Sequence, residues 1–190
     1  MNFKVEAQYP ISIFKNNNIP CSWTTVKVGW DLKRLTEKEI GVFALDYSEL
    51  HPGLINEYIS ELVFGVKDYQ AAEYLAKVFD SLSLELPEEA SPIWNQEWRK
   101  WRFCIMSEMY TNIKDHDELL VAIDGVYADF GYPVDMVPFI YYMPSEDLEL
   151  IKTLTPEQAQ ARLVGEIGHF LISERKNIEN GCDTLPKKIY

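Results

Sequence analysis

The sequence predicts an all-α fold, an irregular multi-helix bundle of about seven helices. Three observations predict it. Apolar residues recur at helical spacing through most of the chain. Helix-start signals stand in front of those stretches, as in Thr36-x-x-Glu39, Ser91-Pro92 and Thr155-Pro156-x-Gln158. Neither a strand–helix alternation nor an internal repeat interrupts the pattern.

The elements follow in order. Residues 1–20 read as an extended arm, with a short strand as the alternative, because Asn16-Asn17-Asn18 before Ile19-Pro20 signals a turn. Trp23, Val26, Lys27 and Trp30 then fall at i, i+3, i+4 and i+7 and predict a helix. Thr36 and Glu39 form a capping box for a second helix through Phe43, Ala44 and Tyr47, broken at His51-Pro52-Gly53. Leu54, Ile55, Tyr58, Ile59 and Leu62 predict a third, ended near Gly65, and Asp68 caps a fourth with Ala72, Leu75, Ala76 and Phe79 inward.

An acidic loop follows over residues 81–92. Ser91 and Pro92 open the next helix, whose Trp94, Trp98, Trp101 and Ile105 form one aromatic stripe. The stripe reads as core, although the same residues suit a homodimer seam. Asp115 and Glu118 start another helix, with Leu119, Ala122, Ile123, Val126 and Phe130 inward and Gly131 at its end. A proline-rich turn and short helix cover 132–145. Thr155 opens the last long helix through Leu163, Ile167, Phe170 and Leu171 to Asn180-Gly181. The whole is expected as a single domain, 1–190, with a loose tail over 182–190.

Composition bounds the function. No apolar run of membrane-spanning length occurs, and the acid at Glu6 speaks against a secretory leader. Three cysteines without a CxxC pair fit a reducing cytoplasm better than a disulfide framework. The formal net charge is -12. Residues 81–150 hold 4 basic and 14 acidic side chains, so this segment alone carries -10. Such a field repels nucleic acid and attracts basic partners.

Few constellations suggest chemistry. Glu166-x-x-His169 has the spacing of half a helical di-iron site, but no second copy exists, so it reads as an ordinary helix flank. Asp115, Asp117, Glu118, Asp124 and Asp129 miss the spacing of a calcium loop and read as a solvated face. No phosphate-binding glycine loop or nucleophile elbow occurs. Cys104 reads as a small buried hydrophobe. Arg99-Lys100-x-Arg102 sits among tryptophans as a nucleic-acid patch would. Helical geometry puts these bases beside and behind the aromatic stripe, paired with neighbouring acids. The sequence nominates no metal, no cofactor and no catalytic residue.

The order of motifs carries one resemblance. Ser22-Trp23-x-x-Val26-x-x-Gly29-Trp30 runs into Leu35-Thr36-x-Lys38-Glu39 and Ala44. Trp98-x-x-Trp101, Val126-Tyr127-Ala128-Asp129-Phe130-Gly131-Tyr132-Pro133 and Phe139-x-x-Tyr142-Met143-Pro144 follow. Together, over roughly residues 20–150, they resemble a family of small acidic bacterial proteins classed as a domain of unknown function. Acidic families of this kind recur among immunity proteins that neutralise bacterial toxins, contact-dependent growth inhibition included. The resemblance implies a protein-binding role and supplies no catalytic residue.

Two functions from different classes are therefore expected to compete. The first is an immunity protein binding a basic toxin domain, with Glu85, Glu88, Glu89, Glu146, Asp147 and Glu149 as acidic contacts in two loops. The second is a ligand-binding or enzymatic helical domain, with Tyr127, Asp129 and Tyr132 lining a pocket. In that region Asp129 also suits a plain turn cap before Pro133.

Overall fold

The structure, a computed structural model, describes residues 7–143 and 153–186. Among them are eight α-helices and two 3-10 helices, and no strand. The helices are α1 (Ile13–Asn16), α2 (Trp23–Asp31), α3 (Glu37–Leu50), α4 (Glu57–Phe64), α5 (Asp68–Ser81), α6 (Pro92–Asn112), α7 (His116–Asp129) and α8 (Pro156–Glu179). The 3-10 helices are Pro52–Leu54 and Val134–Phe139. The fold is all-α, as expected. The chain separates into two compact units, divided between Trp101 and Arg102 inside α6.

In the first unit, α3 packs on α4, and α5 packs on α4 and α2. The residues expected as an extended arm depart from that reading from position 7 on. Ile13–Asn16 form one helical turn, and Ile11, Ile13, Phe14 and Ile19 are buried. Apolar side chains this close together are removed from water rather than left on an arm. The asparagine turn is real: Asn18 has φ 53°, and Ile19 N donates to Phe14 O at 2.9 Å. Phe14 meets Trp101 edge-on, with ring centroids 4.7 Å apart. The Trp101 indole N–H donates to Thr25 O at 2.8 Å. The floor under that indole is Gly29, where a Cβ would stand 2.2 Å from Trp101 Cζ2. Trp94, Trp98 and Trp101 are all buried, so the stripe is core.

Three local expectations are corrected. Thr36 Oγ1 accepts from Glu39 N at 3.2 Å, but the Glu39 carboxylate does not return to the cap. It accepts from Ile11 N at 2.7 Å, so a long-range contact replaces half of the capping box. Helix α4 begins at Glu57 behind an Asn56 cap, which leaves Leu54 in a 3-10 turn and Ile55 exposed. Helix α5 starts one residue earlier than a cap at Asp68 implies, with Lys67 at the cap position, and it buries Ala71, Leu75, Val78 and Phe79. Two stripes share Leu75 and Phe79; the one holding Val78 wins because it removes more apolar area than Ala72 and Ala76.

In the second unit, α8 packs on α7 and on the 3-10 helix Val134–Phe139. Caps stand where the sequence puts them. Asp115 accepts from Glu118 N at 2.9 Å, and Thr155 and Gln158 close a full capping box. Leu119, Ile123, Val126 and Phe130 are buried, as are Met136, Phe139, Ile167 and Leu171. The core also holds charge. Arg102 is fully buried, its guanidinium gripping Asp135 through two 2.8 Å bonds and Glu174 through one at 2.7 Å. It lies over Phe170, 4.9 Å from the ring centroid. Of the bases in Arg99-Lys100-x-Arg102, Lys100 pairs with the neighbouring acid Glu97 at 2.7 Å, whereas Arg102 takes acids distant in the chain. Arg99 and Arg102 are buried, however, and do not line an outer flank.

Candidate functional site

Glu85, Glu88 and Glu89 lie together on the loop between α5 and α6, all exposed. None of the three carboxylates has an ion-pair or hydrogen-bond partner among the described residues. The loop is held at both ends. Leu84 N donates to Phe79 O at 2.8 Å, and Ser91 N donates to Glu88 O at 3.0 Å. Ser91 Oγ accepts from Trp94 N at 3.2 Å, and Asn95 Nδ2 donates to Ala90 O at 3.3 Å. Pro87 is buried between the acids. Ser83 and Ala90 take left-handed backbone conformations, φ 53° and 64°, which turn the chain out and back. Leu84, Leu86 and Ile93 stay exposed beside the glutamates, at 41%, 44% and 38%. The loop thus presents apolar groups and unpaired acids on one anchored segment. The other three acids expected here, Glu146, Asp147 and Glu149, lie outside the described residues.

The residues expected around a pocket at Asp129 come out differently from one another. Tyr127 is buried and meets Tyr132 edge-on at 5.2 Å. Tyr132 stands at φ 58° and is partly exposed. Asp129 is the half-buried last residue of α7. The carboxylate that meets a tyrosine hydroxyl is Asp124. Desolvation, followed by a hydrogen bond with Asp124, pushes the Tyr142 phenol up to about 12. Asp124 is therefore half-buried rather than part of the solvated face that its charge run suggests. Asp117 does reach out from that face, to Gln160.

Glu166 and His169 line a cleft of about 350 Å³ with Asp135, Phe139, Phe170 and Glu174. His169 Nδ1 stands 4.0 Å from Glu166 Oε2, and its side chain is 80% exposed. Among the described residues no group of three or more His, Cys, Asp or Glu is placed to hold a metal ion.

A larger cleft, about 580 Å³, lies in the first unit, and sequence reasoning missed it. Its wall is aromatic. Trp23 meets Phe43 edge-on at 4.9 Å and Tyr47 at 5.3 Å, and Tyr47 meets His51 at 4.6 Å. Ile11 and Phe14 add to the wall, while Lys15, Asp46, Leu50 and Leu84 also line the opening. Part of the signal was present in the sequence: Phe43 and Tyr47 are spaced i, i+4 on one face of α3, and His51 follows just past its end. Cys21 lines the same cleft as His51. Burial first, and Glu97 second, push its thiol up to about 12, so it stays protonated at neutral pH and is no thiolate nucleophile there.

No helix among the described residues is long and apolar enough to cross a membrane. The family model of an uncharacterized protein conserved in bacteria, DUF2247, matches residues 11–175, and the chain belongs to that family. No curated protein and no solved structure matches the chain.

Proposed function

We propose that this member of an uncharacterized bacterial family is an immunity protein, which binds a basic toxin domain and occludes its working surface. The observation that carries the reading is the anchored loop between α5 and α6. It sets unpaired Glu85, Glu88 and Glu89 beside exposed Leu84, Leu86 and Ile93.

That combination has the makeup of an interface. Charges steer the approach over long range, and apolar side chains hold the complex once water leaves. The surplus of -10 over residues 81–150 strengthens the steering. A nuclease toxin suits the mechanism, because a groove built for a polyanion is basic and so complements an acidic loop. Pre-anchoring lowers the entropy lost on binding, since the loop does not have to be ordered by its partner. The reading places the protein in the bacterial cytoplasm, where such a toxin would act.

The test takes as partner the basic toxin domain that this reading predicts to be encoded beside the gene. Association is followed at low and high salt for the native protein and for the variant carrying Glu85→Lys, Glu88→Lys and Glu89→Lys. The association rate should fall about 10-fold or more with charge reversal, and should fall with salt in the native protein. Failure of the two purified proteins to associate would overturn the proposal. So would an association rate that neither salt nor charge reversal changes.

A further inference from the structure

The aromatic cleft of the first unit shares only Leu84, at its opening, with the loop that carries that reading. Its wall is Trp23, Phe43 and Tyr47, with Ile11 and Phe14. Trp23 is 2% exposed, and its indole N–H has no hydrogen-bond partner among the described residues. A buried donor left unsatisfied is unusual in a folded protein. The opening carries opposite charges from different elements, Lys15 on α1 and Asp46 on α3. Both are exposed, and neither side chain has an ion-pair or hydrogen-bond partner among the described residues, the other included. A volume of about 580 Å³ is in the range that holds a small organic molecule.

We infer that this cleft binds a small zwitterion with an aromatic body, of the class of free aromatic α-amino acids. The ring would pack among Trp23, Phe43 and Tyr47, the carboxylate would face Lys15 and the ammonium Asp46. A neutral hydrocarbon would use the wall and leave both charges idle. A nucleotide would need more cations than Lys15 supplies, and Asp46 would repel it. Ring burial provides most of the attraction, and the two charges select the head group. Binding is reversible and forms no covalent bond.

Three probes separate these contributions: L-phenylalanine, phenethylamine, which lacks the carboxylate, and 3-phenylpropionate, which lacks the amine. Each is titrated calorimetrically into the full-length protein. Phenylalanine should bind saturably, one per chain, and more tightly than either analogue. Lys15→Met should weaken phenylalanine and phenylpropionate about 2- to 5-fold and leave phenethylamine unchanged. Asp46→Asn should weaken phenylalanine and phenethylamine by a similar factor and leave phenylpropionate unchanged. Val42→Trp, at a position 39% exposed on the cleft lining, should block all three without disturbing the core. Absence of saturable binding by any probe would overturn the inference. Binding insensitive to Val42→Trp, or dependent on only one of the two rim charges, would also overturn it. The probes do not involve Glu85, Glu88 or Glu89, so the result stands apart from the toxin test.

Discussion

At the residue scale, Gly29 shows how a sequence feature acquires its reason only in three dimensions. Glycine inside a helix costs up to about 1 kcal/mol relative to alanine, so α2 is weaker for having it. The Trp101 indole explains it, because any Cβ at Gly29 would overlap the ring. Gly29→Ala should therefore lower stability by about 1–3 kcal/mol despite better helix propensity, with denaturant unfolding as the measurement. A gain in stability would mean that the indole moves aside freely. Glu39 makes the same point: its spacing from Thr36 is that of a capping box, and yet its carboxylate serves the amide of Ile11. Local spacing could not reveal a competitor 28 residues away. Asp124 was likewise legible as an acid in a charged run, but not as the partner of a tyrosine hydroxyl.

At the element scale, α6 departs furthest from a simple amphipathic helix. From Glu97 to Met106 every residue except Lys100 is buried. The aromatic stripe was readable from spacing, whereas the burial of Arg99 and Arg102 on other faces was not. Charge inside a core is tolerated only with partners, and those of Arg102 lie 33 and 72 residues away in the chain. Arg102→Leu should cost about 3–5 kcal/mol, since it leaves Glu174, 2% exposed, without its cation. Replacing Glu174 by leucine as well should recover part of that loss. Chemical denaturation of the single and double variants checks both statements. A loss under about 1 kcal/mol for the single variant would show that the pair is not a structural keystone. Helix starts were far more legible: Thr36, Ser91, Asp115 and Thr155 each accept the amide that their position announces. A cap satisfies a donor three residues away, so its partner is always within the reach of local sequence.

At the scale of the whole molecule, the reading of 1–190 as one domain meets a division into two compact units. Helix α6 runs through that division without a break. We propose that the units unfold together, because the division falls within α6 and melting either unit would strip packing from part of this helix. Calorimetry should then give one transition, with calorimetric and van't Hoff enthalpies equal. Two resolved transitions would make residues 1–101 and 102–190 separate domains.

The sequence by itself determined the all-α class, the starts of α3, α6, α7 and α8, the acidic loop before α6 and the family. These rest on periodicity, capping and composition, and each needs only neighbours along the chain. Tertiary structure alone decided that Ile11 and Phe14 belong to a core, that Arg102 is buried between Asp135 and Glu174, and that a cleft forms beside Trp23. Each depends on surfaces brought together from distant parts of the chain. Which buried face meets which partner is settled by packing and desolvation between elements, and no local pattern encodes that choice.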